Sequence, residues 1–301
     1  MKTLLEALSL FIAALFSFQA SAALNVFACE PEWASLAQEL GGEKVSAVSA
    51  TTAQQDPHRI EARPSLIARI RSADLVICSG SELEVGWLPL LFTQSGNNRV
   101  QPGSRGFIEA SQLVARLEVP KVVDRALGDI HPAGNPHVHL DPRNIATIAG
   151  AVTERLSEID RANAAYYKSR AEDFARRWQD AMQRWQQQAS PLKGEPVIVY
   201  HKDMSYFINW SGMREAGSLE PKPGIPPTPS HLAELVDRMK RDPAKVIVYS
   251  AYSSPKAAEF LSSRSGIPSA MLPFTVGGTP AAKDLFGLFD DTIERVLKVM
   301  K

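Results

Sequence analysis

Three of the six histidines in this chain stand where a ligand could reach them. His58 and His137 each follow a proline in a polar loop, and His201 comes directly after the apolar run 197–200. Neutral imidazole is the commonest metal ligand in proteins, and three nitrogen donors from separate loops suit Zn²⁺. A lone loop histidine is more often a surface or hydrogen-bonding residue, so spacing alone makes these three residues only candidate ligands.

The elements around these histidines alternate between apolar strands and amphipathic helices. Strands are predicted over 24–29, 45–50 and 74–78, with helices that begin at Pro31 and Pro64 between them. This β-α-β-α-β order predicts a parallel sheet flanked by helices. A second α/β pattern follows Gly194. Open sheets of this kind bind ligands beyond the carboxyl ends of their strands, where His201 and the loop of His58 lie.

A long helical tract separates the two α/β patterns. Apolar side chains recur at helical spacing through residues 163–188, and such a helix would be about 39 Å long. We therefore predict an α/β protein of two lobes, each a mainly parallel sheet flanked by helices, joined by one long rigid helix. The predicted limits are 23–160 for the N-terminal lobe, 161–190 for the linking helix and 191–301 for the C-terminal lobe.

The first 22 residues are typical of a secretory signal peptide. Lys2 precedes an apolar run over 4–18, and Ala20-Ser21-Ala22 offers small residues for cleavage. We expect export to the periplasm and removal of residues 1–22. The 33 basic and 33 acidic residues cancel, so the chain shows no basic excess of the kind that binds nucleic acid.

The two cysteines, Cys29 and Cys78, each end a predicted strand. In an exported protein such a pair forms a disulfide or remains as two small buried thiols, and the sequence leaves both possibilities open.

Three segments resemble the signatures of the cluster A-I metal-binding receptors of ABC importers. They are 55–65 (Gln-Asp-Pro-His-Arg-Ile-Glu-Ala-Arg-Pro-Ser), 135–144 (Asn-Pro-His-Val-His-Leu-Asp-Pro-Arg-Asn) and 199–207 (Val-Tyr-His-Lys-Asp-Met-Ser-Tyr-Phe). They occur in the family's order, and the likeness spans nearly all of the chain after the signal peptide. The resemblance implies two lobes bridged by a rigid helix, with a metal ion held in the cleft.

By this resemblance His58, His137 and His201 are the metal ligands. Manganese-selective relatives often carry Glu at the third position, so His201 favours Zn²⁺ as the transported ligand over Mn²⁺. The resemblance also implies a receptor rather than an enzyme, which works with the membrane permease of an ABC importer. We expect a monomer.

The fourth ligand is where the chain departs from the family pattern. Many relatives carry an Asp in a segment near the C-terminus, but 271–278 here reads Met-Leu-Pro-Phe-Thr-Val-Gly-Gly. Water, Glu220, Asp284 and His139 remain candidates for this position. The histidine-rich loop of some zinc receptors is reduced to His131 and His139.

Two other functions remain as alternatives. A zinc-dependent hydrolase also uses three protein ligands and a water, but the chain has no His-Glu-x-x-His motif. A receptor for an organic solute could share the two-lobed architecture, although its cleft would be expected to present aromatic and arginine side chains rather than histidines.

Overall fold

The computed structural model of the chain describes residues 22–124, 126 and 128–301. The predicted signal peptide therefore lies outside the described residues, except for Ala22. Within the described part, no helix is both long and apolar enough to cross a membrane.

The N-terminal lobe is built on a four-stranded parallel sheet. Its strands are β1 (Leu24–Ala28), β2 (Val45–Ser49), β3 (Leu75–Cys78) and β4 (Phe107–Glu109), and they lie in the order β2-β1-β3-β4. Its helices are α1 (Pro31–Gly41), α2 (Pro64–Ser72), α3 (Leu88–Ser95) and α4 (Pro142–Ile159). Alternate strand side chains point to opposite faces, so Val26 packs with α1 and α4 while Phe27 packs with α2 and α3.

The C-terminal lobe repeats this plan. Its strands are β5 (Pro196–Val199), β6 (Arg214–Ser218), β7 (Val246–Ser250) and β8 (Ser269–Leu272), all parallel and in the order β6-β5-β7-β8. The long helix α5 (Ala164–Gln188) precedes this sheet, and α6 (Ser205–Ser211), α7 (Pro229–Arg241), α8 (Lys256–Ser265) and α9 (Leu285–Met300) follow in chain order. In each sheet the first strand lies between the second and the third, which creates a switch point where ligand crevices form.

Helix α5 joins the two lobes through a shared core. One hydrophobic cluster runs from the N-terminal sheet through the aromatic face of α5 to the C-terminal sheet and α9. Trp178 lies at its centre, where its ring stacks on Phe174 at 5.2 Å and meets Trp185 edge-on at 5.0 Å. The Trp178 indole N–H also donates to the Pro142 carbonyl oxygen at 2.8 Å, which ties α5 to the start of α4.

The structure confirms the predicted two-lobed α/β class and the long helix. Residues 81–87 form turns, and α3 begins after them at Leu88. Strands β4 and β6 and helix α6 were not predicted. Strand β4 has only three residues. Strand β6 lies at an edge of its sheet, and its polar residues and Gly217 obscure the apolar pattern that marks a strand. The lobe limits at residues 160 and 190 stay a prediction.

Truncation of Trp178 should weaken both lobes together, because its ring fills the core that they share. We expect Trp178→Ala to lower the free energy of unfolding by about 3–5 kcal/mol, measured by urea denaturation. Gln179→Ala, at an exposed position on the same helix, is the control and should change it by less than about 0.5 kcal/mol. Equal effects of the two substitutions would contradict the role given to this core.

Candidate metal centre

The structure brings His58, His137 and His201 together between the lobes. One potential ligand atom from each lies within 4.8 Å of the others, and the ring centroids are 5.5 to 6.0 Å apart. His58 lies in the loop after β2, His137 lies just before α4, and His201 follows β5. The first two belong to the N-terminal lobe and the third to the C-terminal lobe. The predicted cluster therefore exists as a geometric feature at the junction of the lobes.

His58 is oriented by the carboxylate of Asp56. The Asp56 Oδ1 atom accepts hydrogen bonds from the His58 backbone N–H at 3.0 Å and from its Nδ1–H at 2.8 Å. Burial alone would raise the pKa of Asp56, but these bonds from His58 outweigh it and the pKa is lowered. The loop is fixed further by the Trp87 indole, which donates to the Pro57 carbonyl oxygen at 2.9 Å. The Nε2 atom of His58 does not contact Asp56 and lies 3.2 Å from the Nε2 atom of His131.

His201 has an equivalent support in Glu220. Its Nδ1–H donates to Glu220 Oε2 at 2.7 Å, and the same oxygen accepts the Gly224 backbone N–H at 2.9 Å. Burial acts to lower the pKa of His201, but the hydrogen bond to Glu220 and the nearby Asp203 outweigh it, so the pKa is raised. Histidines that bind metals commonly donate their second N–H to a carboxylate in this way.

Neither ring nitrogen of His137 makes a hydrogen bond within the described part of the chain, although the residue is only 1% exposed. Its backbone N–H donates to Asn135 Oδ1 at 2.9 Å, and the Asn135 amide donates in turn to the Lys202 carbonyl oxygen at 2.6 Å, across to the other lobe. Burial, followed by repulsion from His58 and His201, places the pKa of His137 well below its ordinary value. A buried, neutral imidazole without a partner costs free energy that a bound cation would recover.

The candidates for a fourth ligand lie elsewhere or have other partners. Asp284 caps α9 by accepting the Gly287 N–H at 2.7 Å, and the His139 Nε2–H donates to the Phe274 carbonyl oxygen at 2.9 Å. Neither belongs to the group of three, so the structure does not bring these two candidates to the cluster. Glu220 contacts the cluster by accepting the hydrogen bond from His201 Nδ1, and not as a separate ligand.

A buried polar network behind the cluster links the lobes. Glu32 of α1 has one carboxylate oxygen 3.1 Å from His139 Nδ1, although without hydrogen-bond geometry, and the other accepts the Thr275 hydroxyl. The Phe274 ring packs against both His137 and His139, with ring centroids 5.4 and 5.1 Å away. The segment that carries an acid in many relatives thus presents a benzyl group to the centre.

Sequence reasoning missed the position of His131. Its Nε2 lies 3.2 Å from the Nε2 of His58, and its Nδ1–H donates to the Ser81 carbonyl oxygen at 2.8 Å. Burial and then the neighbouring His58 lower the pKa of His131 to about 4. Two signals were present in the sequence: the place of His131 six residues before His137, and its pairing with His139 as the remnant of the histidine-rich loop of some zinc receptors.

The cysteines form a disulfide between the ends of β1 and β3. This answers the question that the sequence left open. Glu84 lies beside the two sulfur atoms, but sulfur in a disulfide is not a thiolate and these residues do not form a metal site.

Comparison with known proteins gives one consistent family. The family described as "ZnuA: Zinc-uptake complex component A periplasmic" matches residues 26–299. The high-affinity zinc uptake system protein ZnuA of Bacillus subtilis is 24% identical over 82% of this chain and 76% of its own length. The manganese ABC transporter substrate-binding lipoprotein PsaA of Streptococcus pneumoniae is 22% identical over 91% of this chain and 90% of its own length. A crystal structure of ZnuA superposes with a TM-score of 0.75 and 21% identity, over 91% of this chain and 99% of that one.

Removal of the Thr275 hydroxyl should destabilise the junction of the lobes, because one Glu32 oxygen would then be buried without its donor. We expect Thr275→Val, which keeps the side-chain shape, to lower the free energy of unfolding of the metal-free protein by about 1–3 kcal/mol. Thr93→Val, on the exposed face of α3, is the control. Unchanged stability of the Thr275 variant in urea denaturation would show that the network does not hold the lobes.

Proposed function

We propose, from the premise that this chain belongs to the ZnuA family of metal-binding receptors, that it binds Zn²⁺ in the periplasm and delivers it to the permease of an ABC importer. Membership makes the chain a metal-binding receptor of the type that serves ABC importers, and not an enzyme. The proposal adds the metal, the ligands His58, His137 and His201, and the compartment. The proposal rests on the buried imidazole of His137, whose ring nitrogens make no hydrogen bond to any residue that the structure describes. It lies beside His58 and His201, whose Nδ1 atoms already donate to carboxylates.

The donor set supports zinc over manganese. Each of the three side chains offers an uncharged nitrogen, which suits Zn²⁺, whereas Mn²⁺ is better served by carboxylate, carbonyl and water oxygens. The carboxylates of Asp56 and Glu220 are engaged by the Nδ1 atoms of His58 and His201. The nearby carboxylate of Asp203 accepts two hydroxyl groups. The relatives include proteins named for zinc and for manganese, so the choice between these metals rests on the ligand chemistry of this chain.

Periplasmic export is supported by the disulfide between Cys29 and Cys78. Disulfides persist in oxidising compartments such as the periplasm and are rare in the cytosol. The predicted signal peptide over 1–22 agrees with this location. We propose that the mature protein acts as a monomer.

Metal binding would use both lobes, because His58 and His137 lie in one and His201 lies in the other. The Asp56 and Glu220 carboxylates hold two of the imidazoles with Nε2 directed away from the carboxylate, so these donors are set before the ion arrives. A metal-loaded receptor therefore has a direct link between its lobes that the metal-free form lacks. A permease could use this difference to distinguish the two forms.

Titration of the metal-stripped mature protein tests the proposal. Most nitrogen-donor sites bind zinc more tightly than manganese. We therefore expect tight one-to-one zinc binding together with weak manganese binding. Both affinities are measured by competition with a chelator. His201→Ala should lose zinc affinity, and His201→Glu should narrow the difference between the two metals. His231→Ala is the control, because that imidazole binds the Ser218 carbonyl oxygen outside the cluster. Tight manganese binding by the unaltered protein would overturn the choice of zinc.

Glu220 should matter without touching the ion. We expect Glu220→Gln to weaken zinc binding by about 10- to 100-fold, because the amide is a weaker acceptor for the His201 Nδ1–H and can also present its N–H₂ there. The measurement is the same chelator competition, with Glu259→Gln on the exposed face of α8 as the matched control. An unchanged zinc affinity would mean that the Glu220 carboxylate is not needed to orient His201.

A further inference from the structure

We propose that His131 is the fourth metal ligand, so that the centre holds its ion with four imidazoles. This inference rests on the proposed function, since it concerns the same ion. The observation behind it is the approach of two ring nitrogens from loops 73 residues apart, His58 Nε2 and His131 Nε2, to 3.2 Å.

The partners of the other ring nitrogens decide what this approach means. His131 Nδ1 lies 2.8 Å from the Ser81 carbonyl oxygen, which can only accept, so Nδ1 carries the hydrogen. His58 Nδ1 lies 2.8 Å from the Asp56 carboxylate and also carries its hydrogen. In the neutral rings both Nε2 atoms then present lone pairs to each other. Such a contact is stable only with a cation between or beside the two nitrogens, either a proton or a metal ion.

The distance suits two ligands of one ion. Zinc–nitrogen bonds are about 2.0–2.1 Å long, so two nitrogens at a tetrahedral zinc lie roughly 3.3–3.4 Å apart. His131 also lines a cavity of about 260 Å³ together with His137 and His201, so it faces the same space as the other candidate ligands. The Phe274 ring packs against His137 and offers no donor. His131 lies outside the group of three whose ligand atoms are all within 4.8 Å of one another, so it would have to shift toward His137 and His201 when the ion binds.

The loop that carries His131 is fixed to the C-terminal lobe. The Asp129 backbone N–H donates to the Pro223 carbonyl oxygen at 2.7 Å, and the Lys222 ammonium donates to the Ala126 carbonyl oxygen at 2.6 Å. Gly128 permits this approach, because its φ is +97° and an added Cβ would lie 2.4 Å from the Pro223 oxygen. A loop of the N-terminal lobe thus supplies a donor while it rests on the other lobe. This arrangement replaces the missing acid of the 271–278 segment with a fourth neutral nitrogen.

The test is the histidine ring ¹⁵N spectrum of the full mature protein before and after one equivalent of Zn²⁺. We expect four Nε2 or Nδ1 signals to move to the metal-bound range, with the His131 signal identified by its absence in His131→Ala. The same variant should bind zinc at least about tenfold more weakly in chelator competition, and His131→Gln should do the same. His231→Ala is the matched control and should keep both the four shifts and the affinity.

Two results would overturn the inference and leave the proposed function intact. One is three shifted histidines with an unmoved His131 signal, which means that a proton alone joins His58 and His131. The other is zinc affinity unchanged in both His131 variants. A protein that binds no zinc tightly would overturn this inference and the proposed function together.

Discussion

A buried imidazole without a hydrogen-bond partner is the constraint on which the rest of the centre depends. His137 is held by its own backbone and by Asn135, so it cannot turn toward water to satisfy its ring nitrogens. A permanent hydrogen-bond partner for the His137 ring, such as a carboxylate, would also compete with the incoming ion. The structure instead surrounds His137 with other imidazoles, which repel its protonated form and keep its lone pair available. The free energy lost by leaving His137 unpaired is thus recovered only when a cation binds.

The duplicated sheet explains how donors from both lobes reach one point. In each sheet the strand order reverses beside the first strand, and the loops after β2 and β5 open into the same crevice. The disulfide fixes β1 to β3 at the switch point of the first sheet, close to the loop that carries His58. The shared core around α5 keeps the two sheets aligned, because any large rotation of one lobe would expose the aromatic face of that helix.

Parts of this arrangement could be predicted from the sequence because they follow from local pattern. Buried parallel strands are continuous apolar runs, which is why β1, β3 and the apolar run of β5 were recognised. Strand β6 was missed because Arg214, Glu215 and Gly217 break the run at an exposed edge. The three histidines stood out through their neighbours and through resemblance. His131 was noted only as a remnant of the histidine-rich loop of some zinc receptors, because its contact with His58 joins two distant loops of the N-terminal lobe without periodicity.

The lack of an acid in the 271–278 segment has a consequence for the charge of the centre. With an aspartate in that segment, the ion would lose part of its charge to a ligand, and a hard cation such as Mn²⁺ would gain an oxygen donor. Here Asp56 and Glu220 accept hydrogen bonds from imidazole N–H groups, so under the proposed function their charge would stabilise the ion without direct contact. Glu32 is further away and is occupied by Thr275. The donor set of the centre therefore suits an ion that accepts neutral nitrogen ligands, and the apolar ring of Phe274 packs against His137.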